Sequence, residues 1–86
     1  MQQKIKILVA EDDLQLGFII KDNLEEAGFD VINCPDGDMA WEYYQKKSPD
    51  LCILDVNMPY KDGFTVAKLG LNGARPSGHR ALLLLN

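Results

Sequence analysis

The chain has 86 residues, enough for one domain with a small core and marginal stability. Hydrophobic residues make up 47% and charged residues 26%, the balance of a soluble globular protein. The net charge of −4 argues against a nucleic-acid surface, and no apolar run approaches the roughly 20 residues of a membrane span.

Residues 5–10, IKILVA, predict a strand covered on both faces, because the run is apolar almost throughout. Glu11, Asp12 and Asp13 follow at its end. Residues 14–27 predict a helix. Leu16, Ile20, Leu24 and Ala27 recur at helical spacing, and Phe18 and Ile19 widen the apolar face. Asp13 is a natural N-cap and Gly28 a natural stop. Phe29 to Cys34 predict a second strand, and Pro35-Asp36-Gly37 a turn. Asp38 can cap a helix over 39–47, with Met39, Ala40, Tyr43 and Tyr44 packing inward and Trp41 as further packing. Ser48-Pro49-Asp50 ends it, since the residue before proline avoids the helical region. Leu51 to Leu54 predict a third strand, with Asp55 at its end.

The order β-α-β-α-β with short connections implies a parallel sheet with right-handed crossovers. Sites in open α/β sheets lie beyond the carboxyl ends of the strands. Strands one and three are commonly neighbours in such sheets, so up to four carboxylates would converge on one rim. Clustered carboxylates repel one another and raise each other's pKa. A divalent cation relieves that, and oxygen donors without His or Cys favour Mg²⁺ or Mn²⁺. A metal there would also neutralise an incoming phosphoryl group, so that Asp55 could attack phosphorus. The plain alternatives are helix capping by the Glu11-Asp12-Asp13 run and turn chemistry at Asp55.

KILVAEDD followed by ILDVNMPYKDG resembles the receiver domain of two-component response regulators. The resemblance covers residues 4 to about 68. It implies a flavodoxin-like, doubly wound parallel sheet and a phospho-accepting module that is no enzyme in the usual sense. By that resemblance Asp55 takes a phosphoryl group from a sensor histidine kinase or phosphotransfer protein. Asp12 corresponds to the direct Mg²⁺ ligand, Glu11 to its neighbour acting through water, and the Asn57 backbone carbonyl to a further ligand. Pro59 and Gly63 match loop-shaping positions, and Met58 packing or loop cover.

The pattern breaks after this. A complete receiver resembling this family has five strands, the fourth ending in Ser or Thr and the fifth in Lys. All 13 acidic residues lie in 1–62, and 63–86 carry only Lys68, Arg75 and Arg80 as charges. The tail has Gly70, Gly73, Pro76 and Gly78 where the family has a charged third helix, and His79 reads as a solvated loop residue. Arg80 to Leu85 can make a short fourth strand. The expectation is therefore one incomplete receiver domain over 1–86, receiver-like in 1–68 and divergent in 69–86, where the sequence could be out of frame or foreign. About four strands remain, with the fifth strand and last helices missing. The uncovered sheet predicts weak stability, homodimerisation or domain swapping. The alternative to a working phospho-acceptor is an inactive receiver fragment that binds metal or self-associates without switching. A third reading, an aspartate-nucleophile phosphohydrolase, needs a second aspartate where Asn57 stands. MQQKIKILVAEDD lacks a signal peptide's features, and Cys34 and Cys52 have no metal or redox spacing. Cytoplasmic localisation with free thiols, and no direct nucleic-acid or membrane partner, complete the expectation.

Overall fold

The computed structural model describes residues 4–55, 58–60 and 81–85 of the chain. Its elements run β1 (Lys6–Ala10), α1 (Leu14–Glu26), β2 (Asp30–Cys34), α2 (Gly37–Lys47), β3 (Leu51–Asp55) and β4 (Ala81–Leu85). The four strands form one sheet in the order β2-β1-β3-β4, and every pairing is parallel. This is the α/β, flavodoxin-like arrangement, with its first strand between the second and third. The fourth strand anticipated near the chain's end is present, with Ala81 opposite Leu51 and Leu85 opposite Asp55.

The pleat divides the core in two. Leu8, Ala10, Cys34, Cys52 and Leu54 face one side with Ala40 and Met58, against which Ile32, Trp41, Tyr43, Tyr44 and Tyr60 pack. Ile7, Val9, Val31 and Ile53 face the other side under Ile20 and Leu24. Strands buried on both faces read as unbroken apolar runs, which is why β1 and β3 lack a polar alternation. Trp41 and Tyr44 stack with centroids 5.7 Å apart, as packing residues of α2.

The caps explain the helix limits. Asp13 accepts from the amides of Gln15 and Leu16 and starts α1. Gly28 follows the helix at φ 102°, a left-handed conformation that a side chain would strain. Ser48 closes α2 at φ 48°, directly before Pro49. The second helix corrects two expectations. It starts at Gly37, and its cap is Asp36, whose carboxylate accepts from the Met39 amide at 2.8 Å. Asp38 lies in the first turn, where its charge suits the helix's positive end.

The packing face of α1 is also narrower than its composition suggests. Ile20 and Leu24 pack on the sheet and Gly17 is buried, whereas Leu16, Phe18, Ile19 and Ala27 are exposed. The stripe runs through 17, 20 and 24, and positions 16, 18 and 19 sit beside it. Met39, expected to pack, is exposed as well. Among the described residues no helix is long and apolar enough to cross a membrane.

The contrast gives a test. Leu8→Ala, which empties a fully buried position, is expected to cost about 2–5 kcal/mol. Phe18→Ala, at a side chain 67% exposed, is expected to change stability by less than about 0.5 kcal/mol. Urea unfolding of the two variants checks the difference.

Candidate metal centre

The register of β1 on β3 builds the site. Ala10 stands opposite Leu54, so the next residues, Glu11 and Asp55, leave the sheet level with each other. The amide of Glu11 donates to the Cys34 carbonyl at 3.1 Å, which extends the β1–β2 ladder one residue and fixes the Glu11 backbone. Carboxylate oxygens of Glu11, Asp12 and Asp55 all lie within 4.8 Å of one another. Asp13, the fourth acid of the expected rim, points its carboxylate at the α1 amides and serves as the cap.

The three carboxylates have different surroundings. Glu11 is buried, Asp55 half-buried and Asp12 exposed. Glu11 Oε2 accepts from the Asp13 amide at 3.1 Å. Burial lifts the Glu11 carboxyl above its ordinary pKa, the Asp13 amide opposes that, and the charge of Asp55 adds to the rise. The site thus holds like charges at close range, one of them taken out of water.

The donor set fits a hard divalent cation. All three groups offer carboxylate oxygen. The cysteines sit apart, both buried in the apolar core, and burial pushes the Cys34 thiol up to about 12, far from a thiolate ligand at neutral pH. Oxygens on one octahedral Mg²⁺ ion stand about 3.0 Å apart when adjacent and about 4.2 Å apart when opposite, both inside the 4.8 Å that bounds this cluster. Asn57, expected to supply a backbone carbonyl, lies outside the described residues, as do Lys61, Asp62, Gly63, Lys68 and His79.

The loop after β3 adds a residue that spacing did not reveal. The Asp55 carbonyl accepts from the Met58 amide at 3.1 Å and from the Tyr60 hydroxyl at 2.8 Å. Met58 is buried in the core as expected, and Tyr60 packs against the same cluster. Burial raises the Tyr60 phenol pKa, and the charge of Asp55 adds to that. The available signal was the one aromatic residue between Asp55 and Gly63.

Comparison with known proteins agrees with this fold. The model of the response regulator receiver domain family matches residues 7–71. The transcriptional regulatory protein RprY of Bacteroides fragilis is 41% identical over 68 residues, covering 79% of this chain and 29% of that protein. The alkaline phosphatase synthesis transcriptional regulatory protein PhoP of Bacillus subtilis is 41% identical over 63 residues, covering 73% of this chain and 26% of that protein. The chain therefore spans under a third of the length of these relatives. Among solved structures, the chemotaxis response regulator CheY4 of Vibrio cholerae superposes with a TM-score of 0.75 at 28% identity, over 95% of this chain and 68% of that one. The BeF3-activated N-terminal receiver domain of Klebsiella pneumoniae RstA gives 0.66 at 28% identity, over 92% of this chain and 84% of that one.

The raised Glu11 carboxyl has a pH consequence. A carboxyl that binds its proton more tightly when folded takes stability away as pH rises past its ordinary 4.5 and through its folded value. The metal-free protein is expected to melt at a higher temperature near pH 5 than near pH 8. Glu11→Gln is expected to flatten part of that dependence and raise the melting temperature at pH 8. Thermal unfolding in a chelator, across pH, measures both.

Proposed function

Because this chain belongs to the response regulator receiver domain family, we propose that it is a phospho-acceptor of a two-component system, with Asp55 as the residue phosphorylated. The observation that carries the reading is the meeting of Glu11, Asp12 and Asp55 within 4.8 Å at the carboxyl rim of the sheet. Asp55 is the member of that cluster on the strand adjoining the Met58-Pro59 loop, at the position of the family's acceptor motif.

The chemistry follows from the placement. An oxygen of the Asp55 carboxylate forms a bond to phosphorus while the bond from phosphorus to the donor's histidine nitrogen breaks. The electron pair returns to that nitrogen, and the product is an acyl phosphate on Asp55. Glu11, Asp12 and Asp55, with the backbone carbonyl of Asn57, would hold Mg²⁺. When bound, the ion offsets the negative charge of the incoming phosphoryl group and of the three carboxylates. Asp12, exposed beside the acceptor, is accessible to a metal from solution, while buried Glu11 keeps a fixed position behind it. Glu11 serves only when ionised, so metal binding and proton loss at Glu11 are coupled.

A sensor histidine kinase or a phosphotransfer protein is the donor in this reading. Transcriptional control attaches to the relatives by their names, and they are proteins more than three times as long as the matched segment.

Intact mass after incubation with Mg²⁺ and a small phosphodonor tests the assignment. One added phosphoryl group is expected on the chain, and none on Asp55→Asn or in the presence of a chelator. Folded protein that gains no mass, yet still binds Mg²⁺, would favour a receiver fragment that holds metal without accepting phosphate.

A further inference from the structure

We infer that Tyr60 is a positioning residue for the acidic site: its hydroxyl clamps the turn that leaves Asp55 and so holds that carboxylate against Glu11 and Asp12. The inference rests on the reading of the site as a Mg²⁺-dependent phospho-acceptor.

Two donors converge on one carbonyl. The Asp55 C=O accepts from the Met58 amide at 3.1 Å, which closes the chain from 55 to 58 into a turn. It accepts from the Tyr60 hydroxyl at 2.8 Å on its second lone pair. The turn therefore has a brace from a side chain two residues beyond its end. The ring that carries the hydroxyl is itself held, because Tyr60 packs on the buried cluster that includes Met58 and Ala40. The Tyr60 oxygen also lies 3.9 Å from the Met58 sulfur, so brace and turn are one packed unit.

The loop is gripped from its other side by α2. A Cβ at Gly37 would overlap the Pro59 carbonyl oxygen, and would stand 2.9 Å from the Tyr60 Cα and 3.0 Å from the Pro59 carbonyl carbon. These are backbone atoms, which cannot swing aside as a side-chain tip can. Gly37 is therefore the position at which the first turn of α2 admits the Pro59–Tyr60 backbone. Pro59 and Tyr60 lie between a hydroxyl anchored in the core and a glycine that lets their backbone lie close to a helix. A loosened turn would let the Asp55 carboxylate drift from its partners, and a metal would be held less tightly.

Tyr60→Phe keeps the ring and removes the hydroxyl, and with it the bond to the Asp55 carbonyl and the contact with the Met58 sulfur. In the metal-free protein, hydrogen exchange at the Met58 amide is expected to speed up about five-fold, the equilibrium worth of one hydrogen bond. The Mg²⁺ concentration giving half-maximal phosphorylation is expected to rise by a similar factor, with the rate restored at saturating Mg²⁺. The melting temperature should move little, which separates positioning from loss of core. Gly37→Ala pushes the same backbone from the opposite side and should raise the Mg²⁺ requirement while leaving the hydroxyl in place. Unchanged Met58 exchange in folded Tyr60→Phe would overturn the clamp. Faster exchange with an unchanged Mg²⁺ requirement would overturn its link to the site. A wild-type chain showing no Mg²⁺-dependent phosphorylation would instead contradict the phospho-acceptor reading, and the exchange comparison would still decide the clamp.

Discussion

Everything at the carboxyl rim depends on the register between β1 and β3. Ala10 opposite Leu54 makes Glu11 and Asp55 leave the sheet side by side. A slip of one residue would turn each side chain of a strand to the other face. If β3 slipped, Leu54 would exchange the α2 side of the core for the other, and the carboxylates would part. The apolar packing that fixes the register is thus the same force that brings like charges together. Hydrophobic burial in β1 and β3, where Leu8, Val9, Cys52 and Leu54 are fully enclosed, offsets the repulsion it creates.

The charge conflict is distributed rather than removed. One acid of the rim is diverted: Asp13 caps α1 and gains two amide hydrogen bonds. Glu11 is enclosed and holds its proton more tightly than a free glutamate. Asp12 stays in water. What remains is a cluster with one buried, one half-buried and one exposed carboxylate, and a cation would neutralise it more fully than any rearrangement of the protein. The turn after Asp55, held by Met58 and Tyr60, belongs to the same design, since a metal site needs its backbone as well as its carboxylates fixed.

The sequence made the topology legible because its signals are local and redundant. Three apolar runs, two capped helices and short connections left few arrangements, and the spacing of the Glu11-Asp12-Asp13 run from Asp55 pointed to one rim. The fourth strand was readable from ALLLL alone. What could not be read depends on packing. Asp36 and Asp38 are both plausible caps, and the structure uses Asp36, with Gly37 in the first turn lying close to Pro59 and Tyr60. The face of α1 was misjudged because the four large apolar residues at 16 and 18–20, on either side of Gly17, leave the helical phase ambiguous. Small, buried Gly17 marks the true stripe and carries no hydropathy signal. The Tyr60 hydroxyl bond joins a side chain to a carbonyl five residues away, a contact no periodicity announces.

The most direct test of the account is where a divalent ion binds. Mn²⁺ can replace Mg²⁺ on oxygen ligands and broadens nuclear resonances close to it. A titration of isotopically labelled chain with substoichiometric Mn²⁺ should first erase the amide signals of Ala10 to Asp13 and of Leu54, Asp55 and Met58. Signals at the opposite end of the strands, such as Lys6, Asp30 and Leu51, should persist. Broadening spread evenly over the exposed acids of α1 and α2, including Glu25, Glu26 and Glu42, would mean that the carboxyl rim does not form a metal centre.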